Sequence, residues 1–157
     1  MSERSAVHDT FVIERTYDVP RERVYNAWAD PEAKMRWFTG PDEWTQGERE
    51  FDFRVGGRER LSGGPPGGPV HSFDAIYQDI VPDERIVYTY DMHLDDQRIS
   101  VSLATIEFKP DGDGTRLVLT EQGVFLDGAD YPKQRREGTG KLLEMLEAEL
   151  RRETAAA

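Results

Sequence analysis

Apolar and polar residues alternate first over TFVIERTYDV, residues 10–19, where Phe11, Ile13, Tyr17 and Val19 share one side and Arg15 interrupts them. A period of two predicts a half-buried strand. Pro20 then fixes φ where a helix can begin. In the following RERVYNAWAD, Val24, Ala27 and Trp28 fall at i, i+3 and i+4 and mark one helical face. Asp30-Pro31 reads as the N-cap and first residue of a second short helix, PEAKMRWF, which Gly40-Pro41 stops.

From about residue 49 to 126 the period returns to two. EFDFRV sets Phe51, Phe53 and Val55 on one face, and HSFDAIYQDI sets Phe73, Ala75 and Tyr77 opposite Ile76 and Ile80. ERIVYTYDM aligns Ile86, Tyr88, Tyr90 and Met92; ISVSLATIEF aligns Ile99, Val101 and Leu103; TRLVLT aligns Leu117 and Leu119. Strands this close together, joined by turns such as VPDE and PDGDG, predict an antiparallel meander. No helix-length segment separates them, which argues against a parallel crossover sheet. The segment from Asp130 to Glu153 has helical period, with Leu142, Leu143, Leu146 and Leu150 as its apolar stripe. The chain shows neither a repeat nor a linker, so residues 1–157 read as one domain with flexible ends over roughly 1–8 and 153–157.

The glycine-rich RVGGRERLSGGPPGGPVHSF, residues 54–73, changes little in this picture. A phosphate loop needs GxxxxGK[ST] between a strand and a helix, and here there is no lysine and strand-like sequence on both sides. Gly56-Gly57 suits a two-residue hairpin turn and SGGPPGG a longer hairpin loop. Gly140-Lys141 fails the same test, because leucine follows it and Arg135 occupies the place of the first glycine.

Composition narrows the partners. The chain of 157 residues can bury about 70% of its unfolded surface without staples, and it has no cysteine for disulfide or thiolate chemistry. Its net charge of −11 repels phosphate backbones and anionic lipid surfaces, so nucleic acid is not an expected partner. No stretch approaches the ~20 apolar residues that span a bilayer, so no membrane insertion is expected. MSERSAVHDT lacks the basic end and apolar run of a signal peptide, which makes cytoplasmic the expected location.

Candidate chemistry is sparse. His8, His71 and His93 are scattered without metal-ligand spacing, so no metal is expected. PDGDGT resembles a calcium loop only until Arg116 and Gln122 stand where glycine and glutamate are required. There is no GxSxG elbow for a serine nucleophile. Asp91 and His93 share a strand face, but it is opposite the Tyr88/Tyr90 face and reads as solvated. No catalytic residue and no cofactor are assigned.

What remains is a surplus of large rings, Trp28, Trp37, Phe38, Trp44 and Phe108 among them. Such rings build either a core or the wall of a mostly apolar pocket. Both uses are expected here.

The order of strand, two short helices, antiparallel meander and long helix, with VPRERVYNAWADPEAKMRWF, DFRVGG, YQDIVPDERIVYTYDM, GDGTRLVLTEQG and GTGKLLEMLEAEL in sequence, resembles the START-like helix-grip (SRPBCC) superfamily. Within it the chain looks like the bacterial group related to the C-terminal domain of the Hsp90 ATPase activator, from about residue 10 to 150. The resemblance implies an α+β helix-grip fold, β-α-α-β6-α, whose curved antiparallel sheet wraps the long C-terminal helix around a deep cavity. Members bind lipids, hormones and polyketides, and some catalyse cyclisation there. Carried over, the sheet residues Phe51, Phe53, Tyr77, Tyr88, Tyr90 and Met92 are the implied ligand-binding positions. Trp37, Phe38 and Trp44 join them from the entrance, and Leu143 and Leu146 from the helix.

Two departures matter. Many relatives place a tryptophan after a glycine early in the last helix, whereas Thr139 follows Gly138 here and enlarges the implied cavity. The eukaryotic co-chaperone also carries an N-terminal domain for which these residues leave no room, so chaperone activation is not carried over. The leading expectation is therefore binding of a small hydrophobic or amphipathic molecule, lipid, sterol or polyketide-like. Alternatives are a cyclase or isomerase using the same cavity, with Glu121, Asp79, Arg54 and Arg58 as the acid–base groups to inspect, and a chaperone-associated interaction domain. The resemblance also admits a homodimer.

Overall fold

Backbone pairing extends the first strand beyond its apolar residues. The computed structural model describes residues 3–156, and in it β1 (Ala6–Tyr17) pairs antiparallel with the strand that ends at Leu126. Ala6, Val7 and His8 already have partners in that ladder, although the sequence places them in a flexible end. Residues 1, 2 and 157 lie outside the described residues.

Two helices follow, α1 (Arg21–Ala29) and α2 (Pro31–Trp37). Asp30 separates them as predicted: its carboxylate accepts from the Ala33 amide at 2.9 Å, and Pro31 opens the second helix. Trp37 locks the pair, donating its indole N–H to the Ala27 carbonyl at 2.8 Å and meeting Trp28 edge-on at 4.8 Å.

The meander comprises β2 (Thr45–Phe51), β3 (Arg58–Gly64), β4 (His71–Val81), β5 (Arg85–Leu94), β6 (Gln97–Asp111) and β7 (Gly114–Leu126). With β1 they form one seven-stranded sheet in the order β1-β7-β6-β5-β4-β3-β2, antiparallel throughout. The last element, α3 (Pro132–Ala156), lies in the grip of this curved sheet and packs on α1, α2 and β1. Leu143, Leu146 and Leu150 are buried in that contact, and the Tyr17 hydroxyl donates to the Leu143 carbonyl at 3.2 Å. Burying a leucine or an aromatic ring of this kind contributes roughly 1.5–3 kcal/mol, so this stripe decides where the helix sits.

Three local expectations need correction. EFDFRV does not continue as a strand: β2 ends at Phe51, and a six-residue loop replaces the expected two-residue turn, leaving Val55 exposed. Gly56 takes a positive φ of 82° there, and a Cβ on Gly57 would stand against the Asp52 carbonyl oxygen. On β4, a bulge between Tyr77 and Asp79 reverses the alternation, so Ile80 packs on the core while Ile76 stays outside. On β6, Ile99 is buried, but Val101 and Leu103 are on the outer face; Ser100, Ser102, Ala104, Ile106 and Phe108 point inward. The cause is a bulge opposite Met92 and His93, which spends one residue of β6 without a partner.

Candidate functional site

Sheet and α3 do not close on each other everywhere. Between them lies a cavity of about 530 Å³, open where α2 ends and α3 begins. Trp28, Trp37, Phe38, Phe73, Tyr88 and Leu143 make much of its apolar wall. Trp44 stands at the mouth, stacked on His71 with ring centres 4.7 Å apart, beside Gln46 and Gln134. Ser62 and Gly63 also reach the wall, so the start of the glycine-rich hairpin does border the opening.

One end of this apolar space is polar. Arg135, from the second turn of α3, donates through Nη1 to the Tyr90 hydroxyl at 3.0 Å and through Nη2 to Ser100 Oγ at 2.8 Å. The same Nη2 pairs with Asp130, and Nη1 reaches Ser102 Oγ at 3.4 Å. Tyr90 passes its own hydrogen to Glu121 Oε2 at 2.8 Å. Glu121 is 3% exposed. Burial pushes its carboxyl above the ordinary range, against the opposing pull of Tyr90, Arg135 and Ser102. Burial, together with the charge of Glu121, likewise raises the Tyr90 phenol, so that group stays a neutral donor. For Arg135, burial alone would lower the pKa, but Tyr90, Asp130 and Glu121 outweigh it and hold the guanidinium charged.

A second buried polar group sits behind the wall. Lys34 pairs with Glu59 on β3, and Tyr77 donates to the same carboxylate oxygen at 2.6 Å. Their surroundings are the rings of Trp28, Trp37, Phe38 and Phe51. This group braces α2 against the sheet.

Of the positions implied by resemblance, Trp37, Phe38, Trp44, Tyr88, Tyr90, Met92 and Leu143 face the cavity. The other four do not. Phe51, Phe53 and Tyr77 pack on one another and around the Lys34–Glu59 pair, because the loop after β2 turns Phe53 toward Tyr25 and Tyr77. Leu146 lies one turn too far along α3 and is closed into the core.

Among the acid–base groups to inspect, Glu121 alone lines the cavity. Asp79 pairs with Arg85, Arg54 with Asp52 and Arg58 with Asp74 on the outside. Asp91 and His93 are 3.6 Å apart on the outer face of the sheet. Among the described residues no three metal-ligating side chains are grouped to hold an ion, and no helix is long and apolar enough to cross a membrane.

Sequence reasoning missed Arg135, Asp130, Ser100 and Ser102. Two signals were there to find. Glu121 continues the inward alternation of Leu117 and Leu119, and Arg135 stands one heptad before Leu142 on the apolar stripe. A charged residue at an inward position is the informative exception in either pattern.

Thr139 and Gly138 both border the cavity, and space opens beside Gly138.

Comparison with known proteins agrees with this architecture. The sequence model of the family described as Activator of Hsp90 ATPase homolog 1-like protein matches residues 18–151. Mll3558 from Rhizobium loti is 51% identical, superposes with a TM-score of 0.87, and the match covers 92% of this chain and 99% of that one. A protein from Rhizobium leguminosarum is 46% identical with a TM-score of 0.91, over 96% of this chain and 99% of its own. CV1439 from Chromobacterium violaceum is 31% identical with a TM-score of 0.74, over 88% and 94%. No curated protein matches the chain. With a helix-grip fold and a family match that runs from before α1 almost to the end of α3, the chain belongs to the Activator of Hsp90 ATPase homolog 1-like family.

Proposed function

We propose that this protein binds a small hydrophobic or amphipathic molecule, lipid, sterol or polyketide-like, between its sheet and α3. The observation that carries the proposal is the cavity itself: about 530 Å³, walled largely by apolar rings, with a hydrogen-bonded polar cluster of Tyr90, Glu121 and Arg135 at one end. Small-molecule sites have this make-up, an apolar concavity of roughly 300–1,000 Å³ with a few convergent polar fixtures. A packed core would have filled the space, because protein interiors leave few voids larger than a water.

The test is a thermal-shift screen against fatty acids, sterols, flavonoids and aromatic polyketides. A ligand at 100 times its Kd adds about 2.7 kcal/mol, which moves the midpoint of a domain this size by several degrees. A dose-dependent shift for one chemical class supports the proposal. A flat response from folded protein overturns it and turns attention to a protein partner such as a chaperone.

One observation favours a second reading. Glu121 is a buried carboxyl facing an apolar cavity, with its pKa raised by that burial, and a carboxyl shifted upward in a cavity is a candidate general acid or base. Turnover of any ligand found in the screen, lost in E121Q, would establish an isomerase or cyclase.

A further inference from the structure

We infer that the cavity selects an apolar molecule carrying an uncharged hydroxyl, a phenol or alcohol rather than a carboxylate, and seats that oxygen on Glu121. The inference rests on the ligand-binding proposal and narrows its chemistry.

Arg135 is the obvious anchor for an acid, but the four hydrogens of its terminal nitrogens are already committed. Each terminal nitrogen of a guanidinium carries two. Nη2 spends its pair on Ser100 and Asp130, and Nη1 on Tyr90 and, more loosely, on Ser102. A bidentate grip on an incoming carboxylate requires at least one of these, and so requires breaking a buried bond. Lys34 offers nothing either, since it is closed off behind the wall on Glu59.

Charge points the same way. Arg135 and Asp130 cancel, so the polar end is neutral when Glu121 is protonated and negative when it is ionised. It is positive in neither state. A carboxylate entering this apolar space would lose its water and meet a guanidinium whose charge Asp130 already balances, which is an expensive way to bury an anion.

A hydroxyl fits where an acid does not. Tyr90 occupies Glu121 Oε2 and Ser102 also bonds the carboxyl, but two carboxyl oxygens have acceptor capacity beyond these two bonds. A ligand hydroxyl can donate to the carboxylate or accept from the carboxylic acid, so it suits both protonation states. At the Glu121 end a ketone suits only the acid, because the single hydrogen of Tyr90 is already given to Glu121.

The experiment is calorimetric titration of the full chain at neutral pH with three probes of one shape: 2-naphthol, 2-methylnaphthalene and 2-naphthoate. We expect 2-naphthol to bind about threefold or more tighter than 2-methylnaphthalene, the worth of one hydrogen bond, and 2-naphthoate to bind weakest. In E121M the advantage of 2-naphthol over 2-methylnaphthalene disappears; should that variant fail to fold, the ranking on the wild-type chain decides alone. Binding of 2-methylnaphthalene as tight as 2-naphthol, or 2-naphthoate tightest, overturns this inference and leaves the ligand-binding proposal standing. Binding of none of the three also overturns this inference, while the ligand-binding proposal is decided by the thermal-shift screen.

Discussion

Lys34 Nζ lies 3.0 Å from Glu59 Oε1 with neither side chain more than 3% exposed. The ammonium also stands 4.4 Å from the centre of the Phe38 ring and 5.3 Å from those of Trp28 and Phe51. Burial lowers the Lys34 pKa, and Glu59 works against that fall. Lys34 therefore depends on Glu59 for its charge.

Removing one member should expose that dependence. E59Q leaves the ammonium buried among rings without a counter-ion, and such losses amount to about 3–5 kcal/mol. K34M should be harmful for the mirror reason. The double variant K34M/E59Q retains an acceptor for Tyr77 and buries no unpaired charge, so its destabilisation should fall well short of the sum. Urea denaturation of all four proteins gives the coupling. Strictly additive effects would show that the pair contributes no coupling.

A pH dependence follows from Glu121. Burial raises its folded pKa above the ordinary 4.5, so between the two values the folded chain holds a proton that the unfolded chain has released. Stability contributed by this group is then lost as pH rises through that interval. E121Q cannot titrate and escapes the loss. Its melting temperature relative to wild type should climb from pH 4.5 upward and level off once Glu121 is ionised in both states. Melting curves across that range decide it; a difference that stays flat or falls with pH contradicts the assignment.

The elements were legible because their signals are local. Asp30-Pro31 announces its helix within two residues, and the leucines of α3 lie within three turns of one another. Glu121 was named as a group to inspect because one strand sufficed to suggest it. The polar end as a whole was hidden because it is built from long-range pairs: Arg135 meets Tyr90 across 45 residues and Ser100 across 35. Faces on β6 were misread because Val101 and Leu103 carry the stronger apolar alternation while the bulge at Ile99 turns the serines inward. A bulge leaves no mark in a hydrophobic pattern except its result.

Gly138 offers a test of α3 that touches no hydrogen bond of the polar end. It lies in the seventh position of the helix, and a Cβ added there would meet nothing within 4 Å. Replacing a helical glycine by alanine without strain contributes about 0.5–1 kcal/mol, chiefly by restricting the unfolded chain. G138A should therefore raise the urea midpoint with an unchanged slope. A lower midpoint would mean that the helix departs from regular geometry at this glycine.

The last prediction concerns the space itself. Thr139 borders the cavity, and its hydroxyl donates back to the Arg135 carbonyl at 2.8 Å, one turn earlier in α3. T139W would add an indole at a position that lines the cavity. Because Thr139 is only half-buried and borders open space, the added ring should find room without forcing the sheet from the helix, and the variant should fold with a melting temperature close to wild type. Its affinity for any ligand that shifts the wild-type protein should fall at least tenfold, a change of about 1.4 kcal/mol. G138A, which adds only a methyl one residue earlier, should bind that ligand nearly as before. Equal affinity in T139W and wild type would show that ligands enter elsewhere, and the cavity between sheet and α3 would lose its claim to be the site.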